Sequence, residues 1–176
     1  MGVFAKALFA TVVVAVLAAG CGDDPFGAGE WRSASAAGVT LEWRVDGENL
    51  ALRLSASTSG WVAVGFDPEA GMEFANIVIG YVDAGGVHVR DDWGTGESSH
   101  QSDVSLGGSA DILDSDGTQS GGITTVEALI PMDSPDIFDK ELVAGSTYTV
   151  ILARGPDGSD NFTSAHQSAG SVTIEI

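Results

Sequence analysis

The protein has 176 residues, with one cysteine, three histidines and three methionines. Side chains able to do more than pack or dissolve are therefore few. His166 stands in the most informative setting, within Thr163-Ser164-Ala165-His166-Gln167-Ser168-Ala169-Gly170. Small residues on both sides would let a large flat ligand approach the backbone. Met72 lies between two short apolar runs, Trp61–Phe66 and Ile77–Val82, in a loop that also holds Asp67, Glu69 and Glu73. A thioether in an acidic loop needs an apolar reason to be there. Two readings of the pair stay open on the residues alone. Met72 could close the end of a sandwich while His166 is solvated, or both could face one ligand.

The remaining candidates carry less. His88 falls on the polar side of Val87-His88-Val89-Arg90, and His100 lies in Glu97-Ser98-Ser99-His100-Gln101 without apolar neighbours; both are expected in solvent. Met132 follows an apolar strand and precedes Ser134-Pro135, which places it in the core. Asp114-Ser115-Asp116-Gly117 begins like a calcium loop, but no Glu stands at the twelfth position, so a turn is expected. There is no G-x-S-x-G, no H-E-x-x-H and no Gly-rich phosphate loop leading into a helix. With Ser, His and Asp scattered through loops, the chain is expected not to be an enzyme.

The elements that must position these residues read as short strands. Val39, Leu41, Trp43 and Val45 alternate with polar residues, and Asp46-Gly47-Glu48-Asn49 turns the chain into alternating Leu50, Leu52 and Leu54. The runs Trp61–Phe66 and Ile77–Val82 are apolar on both faces, which requires cover on both. Weak strand signals follow at Val104–Leu106 and Ile112–Leu113 in a stretch from Asp92 to Gly122 rich in Gly, Ser and Asp. Stronger ones stand at Ile123–Ile130, at Tyr148–Ala153 and at Val172–Ile176, with one helical turn expected over Ile137–Leu142. The count of about nine or ten strands, with almost no helical pattern, predicts an all-β antiparallel β-sandwich of immunoglobulin-like type. Trp43, Leu52, Val64, Ile79, Val150 and Ile174 are expected in its interior.

At the N-terminus, Lys6 precedes the small, apolar run Ala7–Gly20, which ends at the sole cysteine, Cys21. This reads as residues 1–21 of a lipoprotein signal with Cys21 as the acylated residue, although Ala18 stands where a bacterial lipobox usually has Leu. The expectation is an exported protein, lipid-anchored to the bacterial cell envelope. Residues 22–37 would be a tether and 38–176 the folded domain. The whole chain carries a formal net charge of −18. That excludes nucleic acid and anionic membrane surfaces as partners and permits Ca²⁺ or a cationic protein.

The stretch Gly60-Trp61-Val62-Ala63-Val64-Gly65-Phe66, then Met72, then Ile77-Val78-Ile79-Gly80-Tyr81-Val82-Asp83, resembles the signature of DOMON domains. The resemblance extends over about residues 38–176 and includes His166 ahead of Gly170-Ser171-Val172. In haem-binding members of that family, the corresponding methionine and histidine ligate one iron from opposite faces. It implies that Met72 and His166 are the axial ligands of a non-covalent haem b, in an electron-transfer protein rather than an oxygen-activating one. Trp61 and its strand would wall the macrocycle, and Tyr81 or Arg154 would meet a propionate. With no fused flavoprotein or transmembrane cytochrome, electrons would pass to a separate redox partner with a cationic docking surface. Other family members bind sugars. A carbohydrate-binding or adhesive module, with Trp31 and Trp93 as stacking platforms, is the alternative.

Overall fold

The computed structural model describes Phe26, Gly27 and residues 29–176. The signal segment, Cys21 and the first part of the tether lie outside the described residues. The fold is a sandwich of two antiparallel sheets and nearly all β. Among the described residues it has eleven strands and one short helix, slightly more strands than the sequence suggested.

In chain order the elements are β1 (Arg32–Ala36), β2 (Val39–Asp46), β3 (Asn49–Ala56), β4 (Val62–Phe66), β5 (Asn76–Asp83), β6 (Gly86–Gly96) and β7 (Ser99–Ser102). There follow α1 (Asp103–Leu106), β8 (Asp114–Ser120), β9 (Ile123–Pro131), β10 (Thr147–Arg154) and β11 (Ser168–Glu175). One sheet runs β1-β2-β3-β9-β8 and the other β11-β10-β4-β5-β6-β7. Alternation sends Leu41, Leu52, Val64, Val78, Val126 and Leu152 between the sheets, where they are essentially inaccessible to water. Trp43, Val150, Ile174 and Met132 join the same core, as their patterns require.

Ile79 is buried too, but on the other side of its sheet. The outer face of β4, β5 and β10 carries a second apolar cluster of Trp61, Ala63, Ala75, Ile77 and Ile79, with Met72 and Ile151 packed against it. The doubly apolar runs are thus explained. One face of each meets the sandwich core and the other lines a separate site.

Several expectations fail where polar sequence conceals regular structure. Residues 32–36, read as tether, form edge strand β1 paired with β2; its small and polar side chains give little alternation to detect. Val104–Leu106 belongs to a helical turn, not a strand: Ser102 caps it and Gly107, at φ 99°, ends it. Asp114–Gly117 is not a turn but the start of β8, an edge strand with no apolar residue, held by its ladder to β9. Ile112–Leu113 precedes that strand, and Ile137–Leu142 forms no helix.

Candidate functional site

A cavity of about 730 Å³ opens against the outer apolar face of the six-stranded sheet, a size typical of small-molecule and cofactor sites. Its floor is Ala63, Gly65, Ile77, Ile79, Ile151 and Ala153. Met72 reaches it from the loop between β4 and β5, and His166 from the loop between β10 and β11. The two residues singled out from the sequence are therefore brought to one cavity from opposite loops. Met72 is half-buried and His166 exposed, and the His166 imidazole makes no hydrogen bond or ion pair with the described residues.

The Met72 loop is fixed by its backbone. Glu69 N–H donates to Glu73 O at 2.9 Å and Glu73 N–H to Ala70 O at 2.8 Å, while Gly71, at φ 60°, allows the tight reversal. The loop then docks on the β6–β7 hairpin: Met72 N–H donates to Glu97 O at 3.0 Å and Phe74 N–H to Gly94 O at 2.9 Å. Gly94 makes this possible, since a Cβ there would lie 1.6 Å from Met72 O.

Side chains pin the His166 loop. Trp61 Nε1 donates to Ser164 Oγ at 3.0 Å, and Asn161 Oδ1 accepts from the backbone of Thr163 and Ser164 at 2.9 and 2.7 Å. Asn161 is thus a turn-former. Phe162 packs on Tyr81 with ring centroids 4.9 Å apart, and the Arg90 guanidinium lies 4.5 Å above the Phe162 ring.

Trp61 lines the cavity, but Tyr81 does not. It is stacked between His88, at 4.7 Å, and Phe162, so it supports the His166 loop. Arg154 is also outside the lining, since its guanidinium donates to Ser57 O and Gln167 Oε1. His88 is half-exposed and paired with Asp83 at 3.0 Å. The supposed sugar platforms are occupied. Arg53 covers Trp31 at 4.6 Å, and Trp93 sits between Phe74 and Phe138.

His100 is the residue that sequence reading missed. It is neither in a loop nor in solvent: it lies on β7 with only 20% of its side chain exposed, and it lines the cavity. Its Nδ1 lies 2.5 Å from Asp92 Oδ2, and Arg90 grips the same carboxylate through Nε and Nη2 at 2.5 and 2.6 Å. Burial alone would raise the Asp92 carboxyl, but the hydrogen bonds and charges of His100 and Arg90 outweigh it and hold the group below its ordinary range. Among the described residues no lysine or arginine lines the cavity, whereas Glu69 and Glu97 stand at its edge. The only signal for His100 was Gly94 and Gly96 just ahead of the Glu97-Ser98 turn, which folds a polar hairpin back on itself.

The donors fit a b-type haem. A thioether and an imidazole face one cavity from different loops, and the wall between them is apolar and small-sided. The chain belongs to the DOMON domain family, whose match covers residues 35–155. Its fold is similar to two solved structures. One is the cytochrome b domain of pyranose dehydrogenase from Coprinopsis cinerea, with TM-score 0.59 and 14% identity over 78% of this chain and 76% of that one. The other is the cytochrome domain of Myriococcum thermophilum cellobiose dehydrogenase, with TM-score 0.54 and 12% identity over 78% and 74%. It is also 32% identical over 113 residues to mouse DBH-like monooxygenase protein 1. That stretch is 64% of this chain and 18% of the mouse protein, so the chain matches under a fifth of that relative's length.

Proposed function

We propose that the domain is an electron-transfer module that holds one non-covalent haem b, with Met72 and His166 as axial ligands. The observation that carries this is the convergence of both side chains on one cavity walled by the outer apolar face of β4, β5 and β10. Bound there, haem would supply a one-electron couple, and thioether ligation would favour the ferrous state and raise the potential. The protein's part is positional. Trp61, through Ser164, holds the His166 loop; Gly94 and Glu97 hold the Met72 loop; Ile77, Ile79 and Ile151 exclude water. His100, oriented by Asp92, is the polar side chain that the β6–β7 hairpin sets against the ligand. A haem held by both Met72 and His166 would supply electron transfer rather than oxygen activation, which favours a carrier over an enzyme. Glu69 and Glu97 at the rim, with the chain's strong negative charge, suit a cationic redox partner.

Export and anchoring through acylated Cys21 complete the proposal and rest on the leader sequence alone. Replacing Cys21 with Ser and fractionating cells tests them, and unchanged membrane retention would refute the anchor. The haem reading is tested by the visible spectrum of protein expressed with ample haem and reduced with dithionite. Sharp low-spin α and β bands that disappear in His166→Ala are expected. A colourless protein that takes up no added haemin would overturn the reading.

A further inference from the structure

A cluster of buried and half-buried carboxyls lies on the opposite side of the six-stranded sheet from the cavity. Alternation along β5 and β6 sends Ile77 and Asp92 toward the cavity side and Asn76 and Asp91 toward the interior end of the sandwich. There Asp91 is met by Asp111, from the segment between α1 and β8, and by Asp139, from the β9–β10 connection. One carboxylate oxygen from each of the three lies within 4.8 Å of the others. Asp103, the first residue of α1, is fully buried, and Asp91 and Asp139 are the charges that act on it most strongly.

Neutral donors orient this group without satisfying it. Asp111 N–H donates to Asp91 Oδ2 at 2.9 Å, Ser134 Oγ to Asp111 Oδ2 at 2.8 Å, and Asn76 Nδ2 to Asp139 Oδ1 at 2.8 Å. No ion pair among the described residues reaches Asp91, Asp103, Asp111 or Asp139. Both Asp103 oxygens, Asp139 Oδ2 and Asn76 Oδ1 are shut off from solvent with no partner. Asp103 is 0% and Asn76 4% exposed, so bulk solvent does not reach their oxygens. Buried polar oxygens are normally satisfied, and buried carboxylates are paired or coordinate a metal.

We propose that Asp91, Asp111 and Asp139, with the Asn76 carbonyl oxygen and Asp103, form a calcium site. It would tie β5, β6, α1 and the β9–β10 connection together at one end of the sandwich. The donor set is entirely oxygen and comes from carboxylates and an amide, which selects a hard cation over zinc or copper. Ca²⁺ accepts six to eight such ligands in irregular shells, whereas Mg²⁺ demands a near-octahedral set and retains several waters. Donors from five separate chain segments, with no regular spacing, suit the larger ion. No contiguous calcium loop is needed in the sequence, because the ligands are assembled by the fold.

The test uses the full chain, stripped with EDTA, dialysed at pH 7.5 and titrated with CaCl₂ by calorimetry and thermal denaturation. One Ca²⁺ per chain is expected, with Tm rising by about 5–10 °C at a hundredfold excess over Kd. Mg²⁺ should be far weaker. Asp91→Asn and Asp139→Asn should each abolish binding, yet melt no lower than stripped wild type, because each removes one repelled charge. Asp114→Asn, on exposed β8, should bind as wild type. Calcium binding that persists in both cluster variants, or that titrates as diffuse multiple sites, would overturn the proposal. If the variants fail to fold, stripped wild type decides alone. No binding and no Tm rise would mean that the carboxyls are simply kept protonated.

Discussion

Gly94→Ala offers the sharpest test of how Met72 is held. The new Cβ would lie 1.6 Å from Met72 O and 2.7 Å from Met72 C, with Ala75 N at 3.1 Å. Ordinary contact needs well over 3 Å, so the Met72 loop must retreat from β6 by about 1.5 Å or more. The clash is with backbone, so no rotamer change relieves it. Retreat also breaks or stretches Gly94 N–H to Ala75 O and Phe74 N–H to Gly94 O, each 2.9 Å long. Overpacking of this kind costs about 1–3 kcal/mol, which in a domain of this size lowers Tm by about 2–10 °C. Gly96→Ala is the control. It lies two residues along the same strand, and its Cβ would meet only the Ser99 hydroxyl, at 3.1 Å. The assay is thermal denaturation paired with the spectrum of haem-loaded protein. Gly94→Ala should melt lower, lose six-coordinate character and admit carbon monoxide, and Gly96→Ala should do none of these. If the two variants behave alike, the loop is not positioned as argued.

Met72→Ala should retain some haem while opening a coordination site and lowering the potential. His166→Ala should lose haem or hold it loosely, and optical spectra with and without carbon monoxide distinguish the two. His100→Ala should weaken haem retention in competition with apomyoglobin yet leave the low-spin bands in place; a lost α band would instead make His100 a ligand. Leu152→Ala, in the core between the sheets, should cost about 2–5 kcal/mol by urea denaturation, and a loss under about 1 kcal/mol would contradict its burial. In chelator, the carboxyls of Asp91, Asp139 and Asp103 are pushed up to about 6, 7 and 8, chiefly by burial; neighbouring carboxyls add to this, Asp111 and Asp92 at Asp91, Asp111 and Asp91 at Asp139, and Asp91 and Asp139 at Asp103. Their folded-state values exceed the unfolded one, so their contribution is complete below about pH 4 and is lost as pH rises through 6 to 8. Melting curves in EDTA should therefore fall across that window, and a rise would refute the assignment.

The parts of the molecule legible in the sequence are those where burial imposes a pattern. Leu50, Leu52 and Leu54 alternate because one face of β3 meets the core, and the runs around Val64 and Val78 are apolar throughout because β4 and β5 are covered on both faces. Edge strands escape this logic. β1 and β8 each have a single neighbour and carry small or polar side chains, so their ladders do most to make them strands, and hydrogen bonding leaves no periodicity to read. The same limit applied at the site. Met72 and His166 stood out through their unusual surroundings, whereas His100 matters only because the β6–β7 hairpin sets it beside Asp92, eight residues away. Tyr81 and Arg154 had suitable chemistry but unsuitable addresses, and only packing against Phe162 and pairing with Gln167 reveals that.

The six-stranded sheet faces two different environments, and consecutive residues on its strands serve both. Ile77 walls the cavity while Asn76 reaches the acidic cluster, and Asp92 orients His100 while Asp91 turns to Asp111 and Asp139. A change in the position of β6 is therefore felt on both sides at once. If a cation draws Asp91 and Asp139 together, it also fixes the strand that carries Asp92 and the Gly94 seat of the Met72 loop. The expected consequence is coupling between the sites. Removing calcium should loosen the methionine side of the cavity before the histidine side, because the His166 loop hangs from Trp61 and Tyr81, and neither touches the cluster. Haem-loaded protein titrated with EGTA should then gain carbon monoxide affinity while retaining its haem. If the spectrum does not respond although calcium has left, the two faces are independent and the sheet is a rigid partition between them; outright loss of haem would instead show that the coupling is not confined to the methionine side.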